Sequence, residues 1–167
     1  RTMSIEENLV AVEVDKAPYS KGMVMNSPAM DKHAEEMVKL FDIRPTDYKL
    51  PTSSLSGGNA QKVVVAREVS MNKKLLVAAQ PTRGVDIGAI ESIQKTLEEA
   101  KKNGAGVLLV STELEEITSL SDRIIVIHEG KITGELSAGE ANENNLGLLM
   151  MGGSVEKKLE KEGEAHE

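Results

Sequence analysis

The sequence predicts an α/β fold built on a parallel sheet, and three observations carry that expectation. Short apolar runs stand at residues 75–79, 107–110 and 124–127. Helical-period segments separate them, which is the order expected when crossover helices cover a parallel sheet; such crossovers are right-handed. The supply of core residues is aliphatic, with 40% hydrophobic but only 2% aromatic residues in a chain of 167, a length that buries a sizeable core.

The elements follow in order. Ser4 and Glu7 have capping-box spacing ahead of Asn8-Leu9-Val10, which predicts a short helix. Residues 18–28 carry Gly, Ser, Asn and two prolines and read as a loop. Met30, Ala34, Met37, Val38, Leu40 and Phe41 recur at helical spacing over 29–43, and residues 45–56 are irregular. After Gly57-Gly58-Asn59 an amphipathic helix is expected over 60–71. The run 75–79, stopped by Pro81, reads as a buried strand. A helix over 87–103 ends at Asn103-Gly104. A second buried strand is expected at 107–110, a short helix at 113–120, and strands at 124–127 and 131–135 around a turn at Glu129-Gly130. The first third offers no convincing strand. The segment from 155 to 167 is almost entirely charged and reads as a solvated, disordered tail or a fraying helix.

Composition excludes several functions. A net charge of −7 argues against a nucleic-acid surface, which draws on clustered Lys and Arg. With no cysteine, disulfides and thiol chemistry are absent, and His33, His128 and His166 lack ligand spacing, so no metal site is expected. No run approaches the ~20 apolar residues of a membrane-spanning helix, and no signal peptide is visible. A soluble, cytosolic chain is the expectation.

Leu55-Ser56-Gly57-Gly58-Asn59-Ala60-Gln61-Lys62 combines two glycines that allow close backbone approach with a hydroxyl and the amides that open a helix, a setting that favours negative charge. Read alone, it is also a generic turn before a helix. In its surroundings it resembles the signature motif of ATP-binding-cassette (ABC) ATPases, in the Asn-containing form of sugar and nucleoside importers. Three further segments resemble the family in order and spacing: 75–86 its Walker B strand and D-loop, 110–113 its switch region, and 121–132 its closing strand pair. The resemblance covers residues 3–152.

That resemblance implies a partial P-loop NTPase sheet lacking the phosphate-loop strand, preceded by a helical subdomain. The implied organisation is a helical signature subdomain at 1–72, the C-terminal part of the α/β core at 73–152, and the tail at 153–167. It also implies that the chain is the C-terminal part of a second nucleotide-binding half, with the phosphate and glutamine loops upstream of residue 1. No Gly-x-x-x-x-Gly-Lys-[Ser/Thr] occurs. The Asp-Glu pair expected at the end of the Walker B strand is replaced by Ala79-Gln80, and the switch histidine by Thr112. Alanine cannot coordinate Mg²⁺ and glutamine cannot accept a proton from water. This half's own site is therefore expected to be degenerate, and the isolated chain inactive.

Family members pair head to tail, so the resemblance assigns Ser56, Gly57, Gly58, Asn59 and Gln61 to ATP in a partner's site and Asp86 to a D-loop contact with the opposite domain. Asp86 also reads as a helix N-cap. ATP and Mg²⁺ are implied for the intact transporter and none for this chain alone. The implied partners are a second nucleotide-binding domain and transmembrane permease subunits at the inner face of the cell membrane. The sheet gap predicts a self-associated or strand-exchanged dimer. The alternative reading is a non-catalytic module docking onto a partner ATPase or permease. An ABC-like DNA-repair ATPase fits poorly with the acidic charge.

Overall fold

The computed structural model describes residues 2–155. The chain forms two compact units, Arg1–Ser111 and Thr112–Glu167.

The first unit opens with α1 (Ile5–Val10), whose capping box forms as the sequence predicts. The Ser4 hydroxyl accepts from the Glu7 amide at 3.1 Å, and the Glu7 carboxylate accepts from the Ser4 amide at 2.7 Å. Ile5, Leu9 and Val10 are buried where α1 packs on α2 (Ser27–Leu40) and α3 (Gly57–Ser70). α2 begins with Asn26 as N-cap and Pro28 in its first turn, a position that needs no amide donor. It buries Met30, Ala34 and Val38, spaced four apart along one face. Lys49 ties the bundle together, pairing with Glu6 at 2.7 Å and with Asp31. The Lys49 ammonium holds the Asp31 carboxyl below its ordinary range, and the two acids in turn hold Lys49 protonated beyond its own.

The expected loop at 18–28 contains a small antiparallel hairpin, β1 (Ser20–Lys21) and β2 (Val24–Met25). Two-residue strands carry too little periodicity to be read in advance, and Gly22 supplies the positive φ of +63° their turn needs. Residues 45–56 are irregular apart from a 3-10 turn at Thr52–Ser54.

β3 (Leu75–Ala79) and β4 (Gly106–Val110) form a parallel pair, in register from Leu75 opposite Gly106 to Ala79 opposite Val110. α4 (Ile87–Lys102) links them and packs against β4 and α3, burying Ala89, Ile93, Thr96, Leu97 and Ala100. The sequence reads both as buried strands. One face is open instead, with Leu75, Val77, Leu108 and Val110 between 50% and 61% exposed. Strand side chains alternate between faces, and the helices cover the other one.

The second unit holds α5 (Leu114–Leu120), β5 (Arg123–His128), β6 (Lys131–Ser137) and α6 (Glu143–Met150). β5 and β6 are antiparallel, with an irregularity between Val126 and Ile127. Ile124, Val126, Leu136, Leu146 and Leu149 form the core, and Leu114 and Ile117 of α5 pack against it. α6 was not anticipated. Asn142 caps it by accepting from the Asn145 amide at 2.9 Å. Gly134 admits Leu149 so closely that a Cβ there would lie 2.6 Å from its Cδ2. Glu116 of α5 is buried, and neither carboxylate oxygen has a partner among the described residues.

Among the described residues the strands form three two-stranded sheets. By packing the chain divides at Ser111/Thr112, and within the first unit α3 packs on α4. Of the charged tail, residues 156–167 lie outside the described residues.

Candidate functional site

α3 begins at Gly57 because Ser56 is its N-cap, with extended φ and ψ of −62° and 161°. The Ser56 hydroxyl accepts from the Asn59 amide at 3.4 Å and from the Asn59 side-chain Nδ2 at 3.1 Å. A hydroxyl has two acceptor positions and one proton. Asn59 engages both acceptor positions, so the Ser56 proton is directed elsewhere. Ser56 and Gly57 are exposed, and Gly58 is buried. The first amides of α3 have no intrahelical acceptor. This face therefore offers one hydroxyl donor, free amides and the positive end of a helix dipole.

Asn59 is held from the other side, where its Oδ1 accepts from the Arg44 amide at 2.7 Å. No sequence pattern singles out Arg44 or Asp42 as part of this site. The Arg44 guanidinium pairs with Asp42 at 2.8 Å, and buried Lys62 donates to the Asp42 carbonyl at 3.0 Å. Arg44 holds the Asp42 carboxyl below its ordinary range, with Lys62 contributing further. The only signal was Lys62 at the end of the signature segment. Asp42 and Arg44 lie too far upstream for any spacing rule to find them.

Asp86 is the N-cap of α4, accepting from the Ala89 amide at 2.9 Å. The segment before it turns against the signature loop. A Cβ on Gly57 would meet the Gly84 carbonyl at 3.5 Å, and a Cβ on Gly58 would meet Asp86 Oδ2 at 2.7 Å. The structure thus brings Ser56, Gly57, Gly58 and Asp86 to one place. Gln61 lies one helical turn beyond Gly57 on α3, where it lines a cavity of about 260 Å³ with Glu68, Ala78, Ala79, Pro81 and Leu97.

At the end of β3, Ala79 is exposed and presents only a methyl group. Gln80 follows with φ +50°, a left-handed conformation uncommon for a residue with a side chain. Its amide donates to the Val110 carbonyl at 2.7 Å, which fixes the strand end. Thr112 is exposed in the second unit. No cluster of three or more His, Cys, Asp or Glu suited to a metal occurs among the described residues. The donor set at Ala79-Gln80 does not fit Mg²⁺, a hard ion that takes carboxylate and water oxygens.

The fold is that of an ABC ATPase cassette. The dimeric structure of the bacterial ABC transporter cassette MJ0796 superimposes with a TM-score of 0.69 at 25% identity, covering 81% of this chain and 57% of that one. No family model matches the chain, but relatives do. The nucleoside import ATP-binding protein NupA of Lactococcus lactis is 44% identical over 153 residues, covering 92% of this chain and 30% of that protein. The guanosine import ATP-binding protein NupO of Bacillus subtilis is 47% identical, covering 89% and 29%. The ribose import ATP-binding protein RbsA of Bacillus cereus is 38% identical, covering 90% and 30%. The chain belongs to this family of ABC-type import ATP-binding proteins, and it spans about 30% of the length of these relatives.

Proposed function

We propose that this chain serves an ABC importer by presenting its signature face to ATP held in a partner's site, while its own nucleotide site is degenerate. The observation that supports this reading is the state of Ser56. Its acceptor capacity is taken by Asn59, which leaves the proton to donate to a phosphate oxygen. The amides of Gly57 and Gly58 and the α3 dipole add to the same anion preference. Asn59 acts through Ser56, and the Asp42–Arg44–Lys62 group keeps Asn59 in place. Gln61 and Asp86 complete the assignment, Gln61 from the cavity beside Ala79 and Asp86 from the D-loop.

The reading of the chain's own site rests on Ala79, Gln80 and Thr112. Ala79 supplies no oxygen for Mg²⁺, Gln80 supplies no base, and Thr112 supplies no imidazole. ATP and Mg²⁺ therefore belong to the assembled transporter. On this reading the cargo is a nucleoside or a sugar, which the relatives' names support. The partners on this reading are a second nucleotide-binding domain and permease subunits at the cytoplasmic face of the membrane. No described helix is long and apolar enough to cross it.

The test is ATP-dependent association. Mixed with a separately produced cassette that carries a phosphate loop and is blocked in hydrolysis, this chain forms a heterodimer in ATP, measured by light scattering. Ser56→Ala abolishes that dimer. Association that ignores both ATP and Ser56 would favour the docking-module reading. The open β3–β4 face favours self-association of the chain alone, which the same instrument reads as a concentration-dependent mass.

A further inference from the structure

The two signature glycines are not equivalent. Gly57 has ordinary room, its nearest neighbour to a built Cβ being the Gly84 carbonyl at 3.5 Å. At Gly58 the same atom would lie 2.7 Å from Asp86 Oδ2 and 3.1 Å from the Ala89 Cβ. The first distance is one that real Cβ atoms essentially never show, and the second is tight. The requirement for glycine at position 58 therefore comes from this chain's own α4, before any ligand arrives.

The Asp86 carboxylate has two tasks. One oxygen caps α4 through the Ala89 amide, and the other rests on the opening turn of α3 at Gly58. An anion is favoured at both helix N-termini. We propose that Gly58 and Asp86 form a positioning contact that locks the start of α3 to the start of α4, so that the signature loop and the D-loop move as one piece. The proposal rests on the signature reading for its functional meaning. Displacing Asp86, the residue read as contacting the opposite domain, then displaces the Ser56 face with it.

The contact is tested in this chain without nucleotide, by amide hydrogen exchange at Ala89. Gly58→Ala lowers Ala89 protection on the order of tenfold, as expected for a disturbed cap, whereas Gly57→Ala leaves it unchanged. Asp86→Ser keeps a capping hydroxyl but removes the oxygen that a new Cβ would strike. The double variant Gly58→Ala/Asp86→Ser accordingly exchanges at the rate of Asp86→Ser alone. Unchanged protection in Gly58→Ala, an equal loss in Gly57→Ala, or no recovery in the double variant would each overturn the proposal. If Gly58→Ala does not fold, recovery of folded protein in the double variant supports the contact, and continued failure overturns it. The signature reading fails separately, through the Ser56→Ala association assay, whatever the exchange data show.

Discussion

The start of α3 and the end of β3 lie in one compact unit and carry opposite chemistry. At α3, Ser56, Asn59 and Arg44 form a hydrogen-bonded chain that leaves a donor-rich face exposed. At β3, an alanine methyl and a glutamine amide stand where the family resemblance implies two carboxylates. The same contrast divides the sheet, one face closed by helices and the other lined by exposed aliphatic side chains. On the proposed reading, the chain keeps the parts it lends to another molecule and has lost those it would use itself. The two sets sit on different elements and are built from different residues.

The largest effect should come from the donor-rich side. In a full-length ATP-binding subunit carrying this segment, assayed with its permease, Ser56→Ala is expected to lower ATP turnover roughly a hundredfold, the scale of losing one aimed donor. Gln80→Ala, at the degenerate end, should leave turnover within about twofold, since on this reading no proton passes through it. Equal losses in the two variants would erase the contrast.

The two faces of the β3–β4 sheet make the next comparison. Ile93, 1% exposed on α4, the helix that packs against β4 and α3, should cost about 2–5 kcal/mol when changed to Ala, because a cavity is added to the lost transfer energy. Val77→Thr on the open face should fall within about 0.5 kcal/mol in the same denaturant titration. It should also reduce self-association of the chain, read as a lower concentration-dependent mass in light scattering.

A smaller effect is expected at the junction. Asp86→Ala should cost about 1 kcal/mol through loss of the α4 cap, and Asp86→Ser markedly less; thermal melts of the two variants check this.

The smallest effect is a dependence on pH. Burial lowers the His33 pKa below 6.5, and its ring lies 5.3 Å from that of Tyr19. The folded chain thus binds fewer protons at His33 than the unfolded chain does. Its contribution to stability is complete above pH 6.5 and is lost as pH falls through the lower folded value. Melting temperature should therefore drop on acidification from about pH 7.5 to 5.5, and His33→Phe should flatten the slope.

Most of this contrast was legible from residues alone. The strand at 75–79 was read to the residue, and α1 and α4 announced themselves through Ser4, Glu7 and the Asn103-Gly104 stop. α6 escaped because Asn142 is one capping residue in a polar stretch, and its helix is only eight residues long. The hairpin at Ser20–Met25 escaped because two-residue strands have no period. The openness of β3 and β4 was also hidden. An aliphatic run predicts a strand with two faces to bury, and only the fold reveals that one face has no cover. At the site, Ser56 to Gln61 could be found from a local pattern. The Asp42–Arg44–Lys62 support could not, since it joins positions twenty residues apart through space.

The central claim is that this chain lends a signature face and holds no nucleotide of its own. Calorimetric titration of the chain with ATP and Mg²⁺, followed by a phosphate-release assay on the same sample, tests it most directly. The account predicts no saturable heat at millimolar ATP and no released phosphate. Tight, Mg²⁺-dependent binding with turnover would contradict it, and would mean that other residues build a phosphate site here.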